Sequence, residues 1–167
     1  QLLAEPSVDL GESVDYAPLS ATLWVFNRGA GELAAEVLSN LEWVTVVPER
    51  VVVGTGSSAA VHVRAEPPES LEPGRHVLAD AIVLRAEGQE ATVTLTLALR
   101  AVPRISVVPD RLVLAPGQEA TVSVRNSGRV AARLEVTAEL GAIAVSPPLL
   151  TIRPGGRARL KVVAAAE

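Results

Sequence analysis

Ala21-Thr22-Leu23-Trp24-Val25-Phe26-Asn27-Arg28-Gly29 returns 99 residues later as Ala120-Thr121-Val122-Ser123-Val124-Arg125-Asn126-Ser127-Gly128. Both stretches alternate apolar and other residues and then stop at Asn-x-Gly, the pattern of a half-buried strand running into a turn. The same offset, without a gap, carries Val44 onto Ile143, Val46 onto Val145, Pro48 onto Pro147, Gly56 onto Gly155, Val61 onto Leu160 and Val63 onto Val162. A register held this long marks an internal duplication. The N-terminal strands match at an offset of 103, Pro6 onto Pro109, so the first copy carries about four extra residues near Ser13 to Pro18. The boundary falls near Val102, giving copies at 1–101 and 102–167.

Period-two alternation recurs through both copies, most clearly over Thr92 to Leu99, Val61 to Val63 and Ile105 to Val107. Turn chemistry separates these runs at Gly54-Thr55-Gly56, Pro73-Gly74, Glu87-Gly88, Pro116-Gly117 and Pro154-Gly155. Many short strands at this spacing predict two tandem antiparallel β-sandwiches, an all-β protein. The helix-tolerant stretches, Gly31 to Asn40 and Gly128 to Leu140, match across the copies and read as strand with loop.

With 49% hydrophobic residues in 167, the chain has the composition of a folded protein. Runs without charge, such as Val51 to Val63, fall well short of the roughly 18 apolar residues of a membrane span. No membrane insertion is expected in this segment. It contains no cysteine, which excludes disulfides, thiolate catalysis and cysteine-ligated zinc. The first copy carries 6 basic and 14 acidic side chains, the second 9 and 5. Such asymmetry suits either an acidic module meeting a basic one, in another molecule or a partner, or ordinary solvated faces. The basic half lacks aromatic residues, so no nucleic-acid partner is expected.

Catalytic equipment is thin. Histidine occurs only as His62 and His76, and aspartate only as Asp9, Asp15, Asp80 and Asp110. Metal-ligand spacings, a nucleophile elbow and a phosphate loop are all missing from the sequence, so the expectation is no enzyme, no cofactor and no metal. The four aromatics therefore stand out: Tyr16, Trp24, Phe26 and Trp43. If Val122 and Val124 point inward, the alternation turns Ser123 and Arg125 outward, and with them Trp24 and Phe26 in the first copy. His62 falls outside for the same reason, on a neighbouring strand. Trp24, Phe26 and His62 thus form a candidate contact surface for a protein partner or for self-association, provided that the residues around Tyr16 or the other module do not fold over them. Trp43 stands at a strand entrance, either as a cap on one end of the sandwich or as a platform for a glycan.

These residues resemble a family. The order of apolar strand, Asn-x-Gly turn, Trp43-Val44-Thr45-Val46-Val47-Pro48, Val51-Val52-Val53-Gly54 and Leu71-Glu72-Pro73-Gly74-Arg75-His76 before a last hairpin is similar to bacterial immunoglobulin-like modules of the BACON and Hydin/major-sperm-protein type. The resemblance implies immunoglobulin-like sandwiches used as spacers, adhesion units or interaction platforms. The second copy also resembles the immunoglobulin-like domains appended to bacterial glycoside hydrolases, which brings in a carbohydrate-binding accessory module as the alternative. Arginine outnumbers lysine fourteen to one, compatible with a GC-rich bacterial source. An exported or cell-envelope setting is expected ahead of a cytoplasmic one.

Copy two reaches Glu167 where copy one continues into Pro67-Pro68 and the hairpin of Arg75 to Arg85 with Ala91 to Leu99. The second sandwich is therefore expected to be a shortened variant, a piece of a longer module, or a sheet whose open edge receives a partner strand. The connection Leu99-Arg100-Ala101-Val102-Pro103-Arg104-Ile105 has one proline and no Gly/Ser spacer, which predicts a stiff joint.

Overall fold

The computed structural model describes residues 1–166 and contains fifteen strands. They are β1 (Leu2–Ala4), β2 (Ser7–Val14), β3 (Leu19–Asn27), β4 (Leu33–Ser39), β5 (Val44–Val47), β6 (Arg50–Val53), β7 (Ser58–Ala65), β8 (Gly74–Ala86), β9 (Gln89–Arg100), β10 (Ile105–Val108), β11 (Glu119–Asn126), β12 (Ala132–Glu135), β13 (Ile143–Ser146), β14 (Leu149–Ile152) and β15 (Arg157–Ala164). The chain divides into two units, Gln1–Arg100 and Ala101–Glu167. Among the described residues no helix is long and apolar enough to cross a membrane.

In the first unit a four-stranded sheet, β1-β3-β7-β5, faces a five-stranded one, β2-β9-β8-β4-β6. Alternation does the sorting. Along β3, Leu23, Val25 and Asn27 are buried and Trp24 and Phe26 are exposed; along β7, Val61, Val63 and Ala65 are buried between exposed His62 and Arg64. The inward residues of the other sheet include Leu10, Val37, Val53, Leu84, Val93, Leu95 and Leu97. One ladder departs from the antiparallel expectation: β2 runs parallel to β9, with Val8 beside Leu95. Long crossover connections permit parallel pairing, and here most of the unit lies between the two strands.

The second unit reproduces part of this plan. Its four-stranded sheet, β10-β11-β15-β13, matches β1-β3-β7-β5 strand for strand, and β12-β14 matches β4-β6. Strands β13, β14 and β15 begin and end 99 residues after β5, β6 and β7. Counterparts of the hairpin β8–β9 are missing among the described residues, as the sequence predicts. A counterpart of β2 is missing as well, which the sequence reading did not anticipate: Val8 and Leu10 are buried, whereas Arg111 and Val113, their equivalents, are exposed. Among the described residues no strand stands beside that segment as β9 stands beside β2.

The cores differ accordingly. Among the described residues the first gathers 23 buried apolar side chains, while the second consists of Val122, Val124, Ile152 and Leu160 with six partly buried neighbours. We expect stepwise unfolding in urea, the second unit opening first by at least about 3 kcal/mol. Both tryptophans lie in the first unit, so fluorescence should report a later midpoint than far-ultraviolet circular dichroism; coincident midpoints would contradict this.

Candidate functional surface

The outer face of β1-β3-β7-β5 carries three of the four candidate residues. Trp24 lies opposite Ala60, Phe26 opposite Ser58 on one side and Leu3 on the other, and His62 opposite Thr22 on one side and Val47 on the other. Directly opposed side chains on neighbouring strands stand about 5 Å apart and diagonal ones about 7–8 Å, so Trp24, Phe26 and His62 share one patch. Trp24 is 43% exposed and Phe26 37%. Val47, 62% exposed, extends the apolar strip beyond His62 and escaped the sequence reading, because Thr45-Val46-Val47 does not alternate visibly. A polar flank closes the patch. Arg64 pairs with Glu66 at 2.9 Å, and the Glu5 carboxylate accepts the backbone N–H of Trp24 at 3.2 Å.

Tyr16 does not cover these rings. Its hydroxyl donates to the carbonyl of Leu71 at 2.7 Å, and its ring leans on the first core. The turn that holds it, with Asp15 and Tyr16 at φ of 54° and 63°, is fixed further by the Ser13 hydroxyl donating to the Ala17 carbonyl at 2.6 Å. Trp43 stands apart from the patch. Half-buried, it packs against the same core together with Leu41 and Leu71, and its carbonyl accepts the N–H of Glu66 at 2.8 Å.

The two Asn-x-Gly sites, one in each unit, form matching hydrogen-bond networks. Asn27 is buried at the inner end of β3, where its Nδ2 donates to the carbonyls of Gly31 (2.8 Å) and Val53 (3.0 Å) and its Oδ1 accepts the N–H of Gly29 (2.9 Å). Asn126 donates to Val130 (2.7 Å) and Ile152 (3.1 Å) and accepts from Gly128 (3.0 Å) and Arg104 (3.2 Å). Val53 and Ile152 end β6 and β14, so each asparagine ties the two sheets of its unit together. The motif that reads as a turn is thus also a buried rivet.

The same outer face in the second unit is cationic. Ser123 and Arg125 replace the two aromatics, Arg125 lies opposite Arg157, and Ser123 lies opposite Arg159. Like charges directly opposed are unfavourable within a sheet, so nothing in the fold asks for them. Lys161, the equivalent of His62, pairs with Glu119.

Elsewhere the surface offers little convergence. A groove beside the β8–β9 turn is lined by Ala34, Glu36, Arg85 and Glu90, whose charges meet in the pairs Arg50–Glu36 and Arg85–Glu90. The His76 Nε2 lies 2.7 Å from the carbonyl of Glu72, a backbone group and not a carboxylate. Among the described residues no cluster of His, Asp or Glu is placed to hold a metal ion.

Two face-to-face sheets in the first unit, and the partial copy of that plan in the second, define tandem immunoglobulin-like β-sandwiches. No family model matches the chain, and no curated protein matches it in sequence. Among solved structures, a protein of unknown function from Porphyromonas gingivalis W83 is similar over 98% of this chain and 83% of its own, with 17% identity and a TM-score of 0.51. The E. coli chaperone DraB aligns over 96% and 83% of the two chains at 12% identity and TM-score 0.47. SSP-19, an MSP-domain protein like family member in Caenorhabditis elegans, covers 57% of this chain and 95% of its own at 18% identity and TM-score 0.38. The first of these likenesses concerns the fold alone, and the other two are weaker.

Proposed function

We propose that the chain is a non-catalytic protein-interaction unit of a larger bacterial protein, exported or in the cell envelope. In this reading a protein partner docks on the outer face of β1-β3-β7-β5, and the tandem sandwiches act as a stiff spacer of the BACON or Hydin/major-sperm-protein kind. The observation that carries it is the placement of Trp24 and Phe26. Half of a very small aromatic complement stands outside, over a sheet whose equivalent in the second unit manages with Ser123 and Arg125. Folding therefore does not require rings there, and aromatic groups exposed on a rigid sheet are the usual anchors of a protein contact. Trp43 and Tyr16 lean on the core, which favours this reading over a glycan platform.

The test exploits the duplication. In Trp24→Ser/Phe26→Arg the first unit carries the residue types of the second, and its stability should change by less than about 1 kcal/mol. A photo-crosslinking amino acid at position 24, in the producing bacterium, should give one adduct of defined mass. The same group at Val77, 65% exposed on the other sheet, should give none. With the crosslinker at His62, Trp24→Ser/Phe26→Arg should lower the adduct yield at least about tenfold, as loss of a hot spot does. Equal labelling from positions 24 and 77 would refute the reading.

A further inference from the structure

The outward residues of β11 and β15 make an arginine cluster that the first unit lacks. Arg125 lies opposite Arg157, and Arg159 follows two residues further along β15, so the three share one face, with Arg159 diagonal to Arg125. All three are exposed. Their equivalents in the first unit are Phe26, Ser58 and Ala60, none of them charged. The same sheet plan therefore folds without a cation at any of these places. Strands β11 and β15 are paired on both sides, and in the first unit β2, β4, β6, β8 and β9 all join the opposite sheet and leave the matching face bare.

The charges are also uncompensated. In the first unit Arg50, Arg64, Arg85 and Arg100 each hold a carboxylate, from Glu36, Glu66, Glu90 and Glu12. Arg125, Arg157 and Arg159 hold none among the described residues, and the one acidic side chain on their face, Glu119, is taken by Lys161. Opposed like charges destabilise a sheet, so a bound anion relieves that repulsion as well as adding contacts of its own. The spacing says which anion. Same-face residues on one strand stand about 6.7 Å apart, so Arg157 and Arg159 repeat at the interval of alternate side chains in any extended chain. A guanidinium takes a carboxylate through two parallel hydrogen bonds, which an ammonium group does not offer. Ser106 and Ser123, opposite Arg125 and Arg159, add hydroxyl groups and little bulk, so an extended segment can lie close. Aromatic side chains, on which nucleobases stack, are absent from residues 102–167.

We propose that the outer face of β11 and β15 is a docking site for an acidic, extended segment of a partner protein, whose Asp or Glu side chains at alternate positions pair with Arg157 and Arg159 while Arg125 grips the first of them from the neighbouring strand. The site lies in the second unit and uses neither Trp24 nor Phe26.

Fluorescence anisotropy of a labelled Ser-Glu repeat peptide, titrated with the whole chain, tests it. The peptide should bind with Kd below about 1 mM at about 50 mM salt, and about tenfold more weakly at about 0.5 M. Its isomer Ser-Ser-Glu-Glu, which places serine at every second same-face position, should bind about threefold more weakly. Arg125→Phe/Arg157→Ser/Arg159→Ala gives the second unit the residues of the first; it should leave the circular dichroism unchanged and weaken binding at least about tenfold, and Arg157→Ser alone about threefold. On titration the amide signals of Ser123, Arg125, Arg157 and Arg159 should shift while those of His62 and Arg64 stay in place. The proposal fails if the repeat peptide does not bind, if it binds the triple variant and Arg157→Ser as well as the wild type, or if the two peptides bind equally. Tighter binding of oligothymidylate or of polygalacturonate would assign the face to a nucleic acid or an acidic polysaccharide, and a salt-sensitive dimer lost in the triple variant would assign it to a second copy; each of these would overturn the proposal.

Discussion

Asn126→Ala should remove about 3 kcal/mol from the second unit, a third or more of its stability, while the first unit keeps its own. The side chain makes four hydrogen bonds to backbone groups of Val130, Ile152, Gly128 and Arg104, and it is fully buried. Alanine leaves those groups without their partner, at roughly 1–3 kcal/mol for each group that stays dry. Even if water reaches half of them, the loss is about 3 kcal/mol. A small unit with so slight a core has about 3–10 kcal/mol in total. Hydrogen exchange should therefore show protection lowered about a hundredfold over β11, β14 and β15 and unchanged over β7 and β9. In the first unit Asn27→Ala loses a similar amount against a much larger core, and its melting temperature should fall by roughly 10–20 °C. Asn126→Asp serves as the control on mechanism. It keeps both acceptor interactions but turns a carboxylate oxygen toward the carbonyls of Val130 and Ile152, so it should not rescue. A loss under about 1 kcal/mol in either unit would show that these asparagines do not rivet the sheets.

Gly128→Ala should cost nearly as much, for a steric reason. A Cβ at Gly128 would lie 2.5 Å from the carbonyl oxygen of Val102, 2.5 Å from the nitrogen of Arg104 and 2.8 Å from the Cα of Pro103. All three are backbone atoms of the segment leading into β10, and a backbone cannot swing aside as a side chain does. The segment must move, which breaks the Arg104 bond to Asn126 and disturbs the pairing of Ile105 with Asn126. Overpacking of this sort costs about 1–3 kcal/mol and the lost bond about 1 more. Gly155→Ala separates this effect from backbone strain. It adopts φ +71° with open space around it, so alanine there should cost only about 1–2 kcal/mol, from left-handed geometry alone. Urea midpoints of the second unit should rank wild type, Gly155→Ala, Gly128→Ala; equal midpoints for the two variants would remove the steric account.

Much of the fold was legible because its instructions are local. The direction of Trp24 and Phe26 followed from the zigzag of one strand and from comparison with Ser123 and Arg125, since adjacent residues of a strand cannot share a face. That residues 102–166 hold no counterpart of β8 and β9 followed from the register of the duplication. Val47 was not legible, because only its pairing with His62 across β5 and β7 shows that it joins the patch.

Asn27 and Asn126 mark the boundary between what sequence and fold each decide. From the sequence alone they end a strand, a fact carried by alternation and turn propensity within a few residues. That they also fasten one sheet to the other depends on β6 and β14 arriving about 26 residues later, at hydrogen-bond distance. The chain by itself thus determined which residues form strands, which faces are apolar and that the plan occurs twice. Tertiary structure alone decided which edges were paired, how much core was covered and which buried amides found carbonyls, because those outcomes depend on non-local partners whose position no short stretch of sequence encodes.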